Sequence, residues 1–504
     1  MVRTIGLLVL SLCLATALGS TACRRAHGPK PGAGPAPADA PPTAAGAPKA
    51  PSDVPPASAQ KVEIDLDKAV EIAMPSIATD LEPVSFDTKD ARKGWAIRIP
   101  GGRPIATPAY ADGLLFVGGG YGSHEFYAFD AETGKVAWQM KTADDGPTAA
   151  VVEDGCVAFN TESCTVVVAD AKTGALLWQE WLGDPLMSQP AISKGRLYMA
   201  YPDSKGDQSH RLLCAELKTG KHLWSTKITG DIISAPVIDG DDVYFTCFDG
   251  TAFCVRAGNG EVAWTKKQAG TSAPVIAEGQ VMMTAKSIVD GRAHEGMLRL
   301  EAKQGGRKDS RLIASAKATY LEKGSGGGGA VHGSAQQLDA DVGFATAPEA
   351  AKLGDANENL GVATVADAWA YQGSRAAYYG GRMMNGQGAA LNCFRSDTAD
   401  CVWQAEARGA GVGEGMQVFS PPALGKRNMY LVTAQGHLLA VGQEDGRVQF
   451  LYATKLPMAF QPALANGNMY IGTANGMLVC LKTGDSDADG WTAWGGNAQH
   501  NKKD

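Results

Sequence analysis

The chain has 504 residues, 44% of them hydrophobic, which is ample material for the core of one large domain. Its formal net charge of −7 is spread along the chain without a basic stripe, and this argues against a nucleic-acid partner. The 62 glycines are compatible with a large repeat domain built from small-residue strands.

Residues 1–22 have the pattern of a secretory signal peptide, with Arg3, an apolar run and then small residues. The residues just before Cys23 resemble a bacterial lipobox, although Ser20 stands where a large aliphatic residue is usual. We therefore predict lipid attachment at Cys23. Two alternatives stay open: ordinary cleavage after Ala22 or an earlier small residue, and an uncleaved anchor. The anchor is disfavoured because the apolar core is shorter than the roughly 20 residues that span a bilayer.

Residues 23–59 are dominated by Pro, Ala and Gly, so they cannot form a core and are predicted to be a linker that tethers the folded part. Residues 60–92 form a lead-in segment with a helical-looking stretch at 66–74. The absence of an acidic residue directly after Cys23 resembles lipoproteins that are sorted to the outer membrane. The predicted location is therefore the cell envelope, at the outer membrane and facing the periplasm.

A repeated pattern, two short strands joined at a Thr-Gly turn and closed by a tryptophan, begins at residues 128–138. The closing tryptophans recur at intervals of about 40 to 46 residues, and the turn glycines recur with them. Glycine suits this turn because its last residue needs a positive φ. The structural repeat residues are Trp95, Trp138, Trp178, Trp224, Trp264, Trp403, Gly134, Gly174, Gly220 and Gly260.

Each repeat is preceded by a proline and two further apolar strands, so one unit contains four strands, as a propeller blade does. We predict an all-β, eight-bladed propeller over residues 93–496, followed by a polar tail at 497–504. The strand at Trp95 has no blade before it, so it is predicted to complete the last blade and close the ring. The predicted inner strands begin near Thr107, Pro147, Pro190, Pro236, Pro274, Ala368, Pro422 and Pro462.

The fifth and sixth units are the weak members of the series. Unit five lacks a tryptophan, and residues 310–321 are predicted to replace its outer strand. Between units five and six, residues 323–359 have little hydrophobic periodicity and are predicted to be a long exposed insertion. The insertion is either a partner-binding loop or filler without a function.

These units resemble the pyrroloquinoline-quinone (PQQ)-type propeller repeat, over roughly residues 93–496. The repeat occurs in quinoprotein dehydrogenases and in non-enzymatic relatives such as the outer-membrane assembly lipoprotein BamB. The resemblance implies a fold but not an activity, because the same repeat serves both enzymes and scaffolds.

The cysteines divide into several groups. Cys214, Cys254, Cys393 and Cys480 stand at the repeat position that alanine holds elsewhere, which predicts a small buried side chain. The candidate disulfide joins Cys393 and Cys401, which flank a turn and are expected to lie opposite each other in a hairpin. Cys156 and Cys164 are the second choice, and no bond is predicted between Cys247 and Cys254.

The sequence contains few groups that suggest metal or acid–base chemistry. Asp485, Asp487 and Asp489 match the first half of a calcium loop, but Gly496 stands where a bidentate Glu is needed, so an acidic surface turn is predicted. The eight histidines are scattered without a paired spacing. We therefore predict no catalytic residue, no metal site and no cofactor.

The resemblance leaves several classes of function to weigh. A quinoprotein dehydrogenase carries a tricarboxylic quinone on the propeller axis, with a stacking tryptophan, a bound Ca²⁺ and a disulfide between adjacent cysteines. This chain has no adjacent cysteines. We predict a non-enzymatic, membrane-tethered scaffold that binds envelope proteins. Its most specific predicted role is a BamB-like one in outer-membrane protein assembly. An extracytoplasmic ligand-binding sensor is the alternative, and a quinoprotein is less favoured. Function is expected in the insertion and in the loops around residues 201–208.

Overall fold

The computed structural model describes residues 59–183, 188–204, 206–207, 209–324, 353–363, 368–369, 374–458 and 460–489. The predicted signal peptide, Cys23 and almost all of the linker lie outside these residues, as do residues 325–352 of the insertion and the tail from residue 490. Within the described ranges, no helix is both long and apolar enough to cross a bilayer.

The lead-in segment is mostly extended. It contains β1 (Gln60–Asp65), one 3-10 turn (Leu66–Lys68), β2 (Val70–Glu71) and β3 (Val84–Asp87), and is followed by β4 (Lys93–Arg98). The helix expected at 66–74 is wrong beyond that single turn. The physical reason is that Val70 and Glu71 pair with the outer strand of a blade, and this pairing outweighs local helix propensity.

The strands from residue 109 onward form the blades, each numbered here by its place in the chain. Blade 1 contains β5 (Ala109–Ala111), β6 (Leu114–Gly118), β7 (Glu125–Asp130) and β8 (Val136–Lys141). Blade 2 contains β9 (Val151–Glu153), β10 (Cys156–Asn160), β11 (Thr165–Asp170) and β12 (Leu176–Trp181). Blade 3 contains β13 (Ala191–Ser193), β14 (Arg196–Pro202), β15 (His210–Glu216) and β16 (His222–Lys227). Blade 4 contains β17 (Val237–Asp239), β18 (Asp242–Thr246), β19 (Thr251–Arg256) and β20 (Val262–Lys267).

The second half of the ring follows the same order. Blade 5 contains β21 (Val275–Ala277), β22 (Gln280–Val289), β23 (Arg292–Glu301) and β24 (Ile313–Lys317), and a 3-10 turn (Thr319–Leu321) follows it. Helix α1 (Gly354–Leu360) lies between blades 5 and 6 in the chain. Blade 6 contains β25 (Ala376–Tyr379), β26 (Arg382–Gln387), β27 (Ala390–Arg395) and β28 (Cys401–Arg408). Blade 7 contains β29 (Ala423–Leu424), β30 (Asn428–Val432), β31 (His437–Gly442) and β32 (Val448–Ala453), and blade 8 contains β33 (Ala463–Ala465), β34 (Asn468–Gly472) and β35 (Met477–Lys482).

The described strands form eight sheets whose inner strands neighbour one another in a closed ring. Strand β4 pairs antiparallel with β35, with Trp95 opposite Cys480, and is the fourth strand of blade 8. The prediction of eight four-stranded blades closed by the Trp95 strand is therefore confirmed. The replacement outer strand of blade 5 is also confirmed, because β24 pairs with β23.

The repeated turn between the third and fourth strands has a local physical cause. In blade 2 the Asp170 carboxylate accepts the backbone N–H of Thr173 at 2.8 Å and its hydroxyl at 2.7 Å. These hydrogen bonds lower the pKa of Asp170. Gly174 then takes a φ of 72°, which a residue with a Cβ adopts only with strain.

Each tryptophan of the repeat lies against the turn glycine of the next blade. A Cβ built on Gly174 would come 2.7 Å from Cδ2 of Trp138, so glycine leaves the space that the indole fills. The indole N–H of Trp138 donates to the carbonyl of Ala171 at 3.0 Å. The same packing of an indole ring against a turn glycine joins Trp95 to Gly134, Trp178 to Gly220, Trp224 to Gly260, Trp264 to Gly305 and Trp403 to Gly446.

The lead-in segment covers the outer edges of three consecutive blades. Strand β1 adds in parallel to β28 of blade 6, β2 adds in parallel to β32 of blade 7, and β3 adds antiparallel to β4 of blade 8. Ile64 and Leu66 are buried in the core cluster of these blades. The segment thus occupies strand edges that otherwise expose unpaired backbone groups.

The register of blade 6 differs from the expected position of the candidate disulfide. A bulge after Cys393 places that residue opposite Trp403, whereas Cys401 lies opposite Phe394. The expectation that the two cysteines face each other directly is wrong, and both thiols are free in the structure. The disulfide stays a prediction without support from the register. Burial raises the pKa of the Cys393 thiol to about 12.

The contact between Trp138 and Gly174 provides a test of the blade junction. Gly174→Ala is expected to lower the unfolding free energy by about 1 kcal/mol for the left-handed backbone. It should cost about a further 1 to 3 kcal/mol because the new methyl group meets the indole.

The matched control is Gly155→Ala in the same blade, where φ is 73° and nothing lies within 4 Å of the added Cβ. Urea unfolding of both variants measures the difference, and equal losses would mean that the junction does not require glycine.

Candidate functional site

One end of the propeller axis carries the largest departure from the repeat. In each blade, the turn between the second and third strands and the link to the next blade lie at the same end. Residues 318–375 are such a link, between β24 and β25. Their described part therefore lies over this end of the axis, which we call the axial mouth.

Helix α1 and the described residues 362–363 and 368–369 place apolar side chains in the axial mouth. Ala356, Leu360, Val362 and Trp369 are buried, and we call the described residues 353–363 and 368–369 the plug. They share one cluster with Tyr121 of blade 1, Ile233 and Phe248 of blade 4, and Phe460 at the entry to blade 8. Because blades 4 and 8 lie on opposite sides of the ring, this cluster spans the axis.

Trp369 is the largest side chain of the plug and is completely buried. Its ring lies edge-on to Phe460 at 5.9 Å and to Tyr121 at 6.1 Å, between centroids. Aromatic pairs in this geometry contribute about 0.5 to 1.5 kcal/mol each beyond the area that they bury. The plug is therefore part of the hydrophobic core.

Hydrogen bonds also hold the plug. The amide of Asn359 donates to the carbonyls of Phe248 at 3.1 Å and Gly270 at 2.7 Å. The ammonium of Lys286 donates to the carbonyls of Leu321 at 2.8 Å and Glu358 at 2.7 Å, and burial lowers the pKa of Lys286. Both contacts tie plug residues to blades 4 and 5.

A buried ion pair joins the two ends of the insertion. Glu295 of blade 5 is completely buried, and Arg375, just before β25, donates to its Oε1 at 2.8 Å. Tyr320, just after β24, and Thr271 donate their hydroxyls to the same carboxylate. The guanidinium lies over the Tyr320 ring, 5.4 Å from its centroid. The carboxylate thus accepts hydrogen bonds from residues on both sides of the insertion. It holds the start and the end of the link between blades 5 and 6 together.

These observations correct two expectations from the sequence. Residues 353–359 were predicted to be exposed, but Ala356 and Asn359 are buried. Ala368 was predicted to open the inner strand of blade 6, but that strand begins at Ala376. Sequence reasoning missed Leu360 and Trp369. A tryptophan outside the register of the repeat, close to an apolar pair at Leu360 and Val362, is the signal that points to them.

Glu162 lies beside the plug with a shifted acidity. Tyr121, which packs against Trp369, donates its hydroxyl to Oε1 of Glu162 at 2.6 Å. Burial raises the pKa of Glu162 to about 7, and the carboxylates of Asp145 and Asp144 act in the same direction. The hydrogen bond from Tyr121 acts in the opposite direction. A carboxyl group therefore titrates near neutral pH next to the buried aromatic cluster.

A cavity of about 720 Å³ lies in blades 6 to 8, at the end opposite the axial mouth. Its lining includes Arg382, Arg427, Phe450 and Asp485. Its charges are largely paired with one another. Asp485 accepts from Arg427 at 3.0 Å, Asn428 at 2.8 Å and Tyr430 at 3.0 Å. The described residues contain no group of three His, Cys, Asp or Glu side chains that could hold a metal ion.

A tricarboxylic quinone on the axis does not fit the axial mouth. The space is filled by Leu360, Trp369 and the aromatic rings around them. The guanidinium of Arg375 is engaged by the Glu295 carboxylate at 2.8 Å, and the ammonium of Lys286 donates to the carbonyls of Leu321 and Glu358. Three ligand carboxylates would have to enter this apolar cluster without fixed cations, which costs several kcal/mol for each unpaired charge.

Comparison with known proteins gives one family. A family described as outer membrane protein assembly factor BamB matches residues 82–205, 162–325 and 349–495. The search of curated proteins found no match.

Similar solved structures include a designed protein and natural ones. BamB from Moraxella catarrhalis is 14% identical, with a TM-score of 0.48 over 79% of this chain and 98% of that chain. The computationally designed Ika8 protein is 13% identical, with a TM-score of 0.52 over 76% and 98%. Quinohemoprotein alcohol dehydrogenase ADHIIG from Pseudomonas putida HK5 is 13% identical, with a TM-score of 0.51 over 77% and 76%. The likeness to the last two, whose TM-scores exceed 0.5, shows the fold alone at these identities.

Removing the indole of the plug tests its contribution to stability. Trp369→Ala is expected to lower the unfolding free energy by about 3 to 5 kcal/mol, because it leaves a cavity in the buried cluster. Trp181→Ala is the matched control, since Trp181 is 41% exposed and should cost much less. Thermal unfolding of both variants gives the comparison. A melting temperature of Trp369→Ala equal to that of the control would contradict a packed plug.

The acidity of Glu162 predicts a pH dependence of stability. Its folded-state pKa of about 7 lies above the ordinary value of 4.5, so the folded protein binds this proton more tightly than the unfolded chain. The contribution is fully present below about pH 4.5 and is lost as pH rises through about 7.

Wild type should lose up to about 3 kcal/mol of unfolding free energy between about pH 4.5 and pH values above 7, and Glu162→Gln should not show this loss. Urea unfolding at several pH values measures it, with Glu261→Gln on an exposed turn as control. A constant difference between wild type and Glu162→Gln across this range would contradict the assignment.

Proposed function

Because the chain belongs to the family described as outer membrane protein assembly factor BamB, we propose that it is a non-enzymatic propeller scaffold. It binds other proteins of the cell envelope. The most specific role that we propose is in the assembly of outer-membrane proteins, which is the role that the name of the family gives.

The observation that carries the scaffold proposal is the filled axial mouth. Trp369 and Leu360 occupy the axis, and Asn359 and Arg375 are hydrogen-bonded to their surroundings. A propeller enzyme needs a concave pocket in which substrate and reactive groups meet. A rigid ring with a closed axis instead offers its outer walls and loops to protein partners, which supports a scaffold.

The tether belongs to the same proposal. The signal-like residues 1–22, Cys23 as the lipid site and the Pro/Ala/Gly-rich linker together suit a lipoprotein held at the outer membrane, on the periplasmic side. A linker of this length reaches on the order of 100 Å if it is extended. The propeller could then contact partners well above the bilayer surface.

A ligand-binding sensor is the second candidate, and one observation favours it. The cavity at the end of blades 6 to 8 has a volume of about 720 Å³, which is within the range of small-molecule pockets. Arg382 and Gln449 line it and could orient a polar ligand. The scaffold is preferred because the cavity's charges already pair with one another.

Affinity purification of the full-length protein from solubilised membranes tests the scaffold. It should recover a reproducible set of envelope proteins, identified by mass spectrometry. Cys23→Ser is the matched control: it should move the protein to the soluble fraction without changing its melting temperature.

The enzymatic alternative is tested with the same preparation. Mixed with pyrroloquinoline quinone and Ca²⁺, it should neither retain the quinone on gel filtration nor reduce a dye with alcohols or sugars. Quinone-dependent dye reduction would overturn the scaffold proposal.

A further inference from the structure

The outer wall of the propeller is covered on one side and open on the other. The lead-in strands β1, β2 and β3 cover blades 6 to 8. Among the described residues, no strand adds to the outer edges of β8, β12, β16 and β20 in blades 1 to 4. A sheet edge to which no strand is added can accept an extended segment through backbone hydrogen bonds.

Strand β1 shows how this chain fills such an edge. It runs parallel to β28, with Val62 beside Ala405 and Ile64 beside Ala407. Ile64 is completely buried, and Val62 packs against the same core cluster. The intervening acidic residue Glu63 forms an ion pair with Arg408 of β28 at 3.2 Å. Backbone pairing, alternate apolar side chains and acidic contacts thus act together.

Strand β2 repeats the electrostatic part of this arrangement on the next blade. It is parallel to β32, and Glu71 forms an ion pair with Lys455, the residue that follows Thr454 beyond the end of that strand. In both blades an acidic residue of the added strand therefore forms an ion pair with a basic residue of the blade, although the register places Glu63 directly beside Glu406.

The groove between blades 1 and 2 is the open counterpart with the most exposed apolar surface. Trp138 and Met140 of β8 pack toward blade 2. In β12, Trp178 turns toward blade 3, where its indole donates to Leu217 at 2.7 Å. Because side chains alternate along a strand, Leu177 and Trp181 project from the opposite face, toward blade 1.

Exposure distinguishes this groove from the others. Leu177 is 45% exposed and Trp181 is 41% exposed. Leu176 of the same strand lies opposite Ala169, on the side of blade 1, and is 48% exposed. The outer strands of blades 3 and 4 each expose one large apolar residue, Leu223 and Val262. A cluster of exposed apolar residues marks an interaction site more strongly than a single one does.

The register assigns the charge that a partner strand would meet. Trp138 pairs with Ala128 as Trp403 pairs with Cys393, so β8 and β28 correspond residue by residue. Lys141 of β8 then corresponds to Glu406 of β28, the residue that lies beside Glu63. An acidic residue at that position of an added strand would lie next to the Lys141 ammonium.

We propose that the edge of β8, with Leu177 and Trp181 across the groove, docks an extended segment of a partner protein that adds in parallel and alternates apolar with acidic side chains. The apolar residues enter the groove between blades 1 and 2, and an acidic residue pairs with Lys141. The proposal rests on the scaffold function and names the surface and the kind of partner.

The probe is a fluorescent peptide with the sequence of residues 59–66, which alternates in this way, added to the full-length protein. Its own site on blade 6 is already filled by β1. Fluorescence anisotropy should detect binding, and Leu177→Glu and Trp181→Glu should weaken it at least about tenfold. Lys141→Glu should weaken it too, and a peptide with lysines at the positions of Glu63 and Asp65 should restore binding to that variant.

The matched control is Val262→Glu, which changes an equally exposed residue on the outer strand of blade 4 and should leave binding unchanged. Unaltered melting temperatures show that the variants fold, as expected for exposed positions. No binding up to about 1 mM peptide, a weak affinity by any measure, would overturn the proposal. Equal binding by all variants would overturn it as well.

Two further measurements separate the proposal from its rivals. Analytical ultracentrifugation of the wild type should give a monomer, and a dimer that Trp181→Glu disrupts would make a second copy the occupant and overturn the proposal. Membrane pull-downs with Trp181→Glu should lose partners that Val262→Glu retains. Partners retained by Trp181→Glu refute this surface but leave the scaffold intact, whereas no partners with the wild type refute the scaffold itself.

Discussion

One hydrogen bond between neighbouring blades recurs around the ring, and the closure of the propeller depends on it. A donor from one blade, or from a residue packed on it, reaches the backbone carbonyl at the turn before the outer strand of the next blade. The donor and acceptor pairs are Trp138 and Ala171, Trp178 and Leu217, Trp224 and Ala257, Trp264 and Ala302, Arg299 and Ser396, Trp403 and Gln443, Arg92 and Thr483, and Tyr470 and Ala131. A buried carbonyl left without a donor costs about 1 to 3 kcal/mol, so the bond is conserved from junction to junction although the donor changes.

Two junctions, those that follow blades 5 and 7, reach the carbonyl without a tryptophan. Blade 5 has no tryptophan, and Arg299, held by Asp309 at 2.6 and 2.8 Å, reaches the equivalent carbonyl of Ser396. Blade 7 has Phe450 in place of the tryptophan, and Arg92 lies over that ring and donates to Thr483. A guanidinium supplies the donor that a smaller or missing ring cannot. What the junction requires is a filled gap and a satisfied carbonyl, and tryptophan is one way to provide both.

Two segments outside the repeat use the surfaces that a ring leaves open. A propeller has an axis that its blades do not fill and outer edges that they do not pair. The plug fills the axial mouth with Trp369, and the lead-in strands pair with the outer edges of blades 6 to 8. Both segments make the ring more closed and more protected. Exposed apolar residues remain concentrated at the groove between blades 1 and 2, which is why we propose that a partner binds at this groove.

The sequence by itself determined the number of blades, the closure of the ring by the Trp95 strand and the replacement strand of blade 5. These features depend on short-range signals, since a turn glycine, an aspartate and a tryptophan lie within about a dozen residues of one another in each unit. Only the tertiary structure decided the burial of plug residues such as Leu360 and Trp369 and the path of the lead-in segment. Leu360 and Trp369 are buried by Tyr121, Phe248 and Phe460, which are far apart in the chain and meet only when the ring closes. The edges that accept β1 and β2 likewise arise from strand pairing between distant segments, which no local pattern encodes. The bulge after Cys393, in contrast, lies within one hairpin and recurs at the same position in other blades.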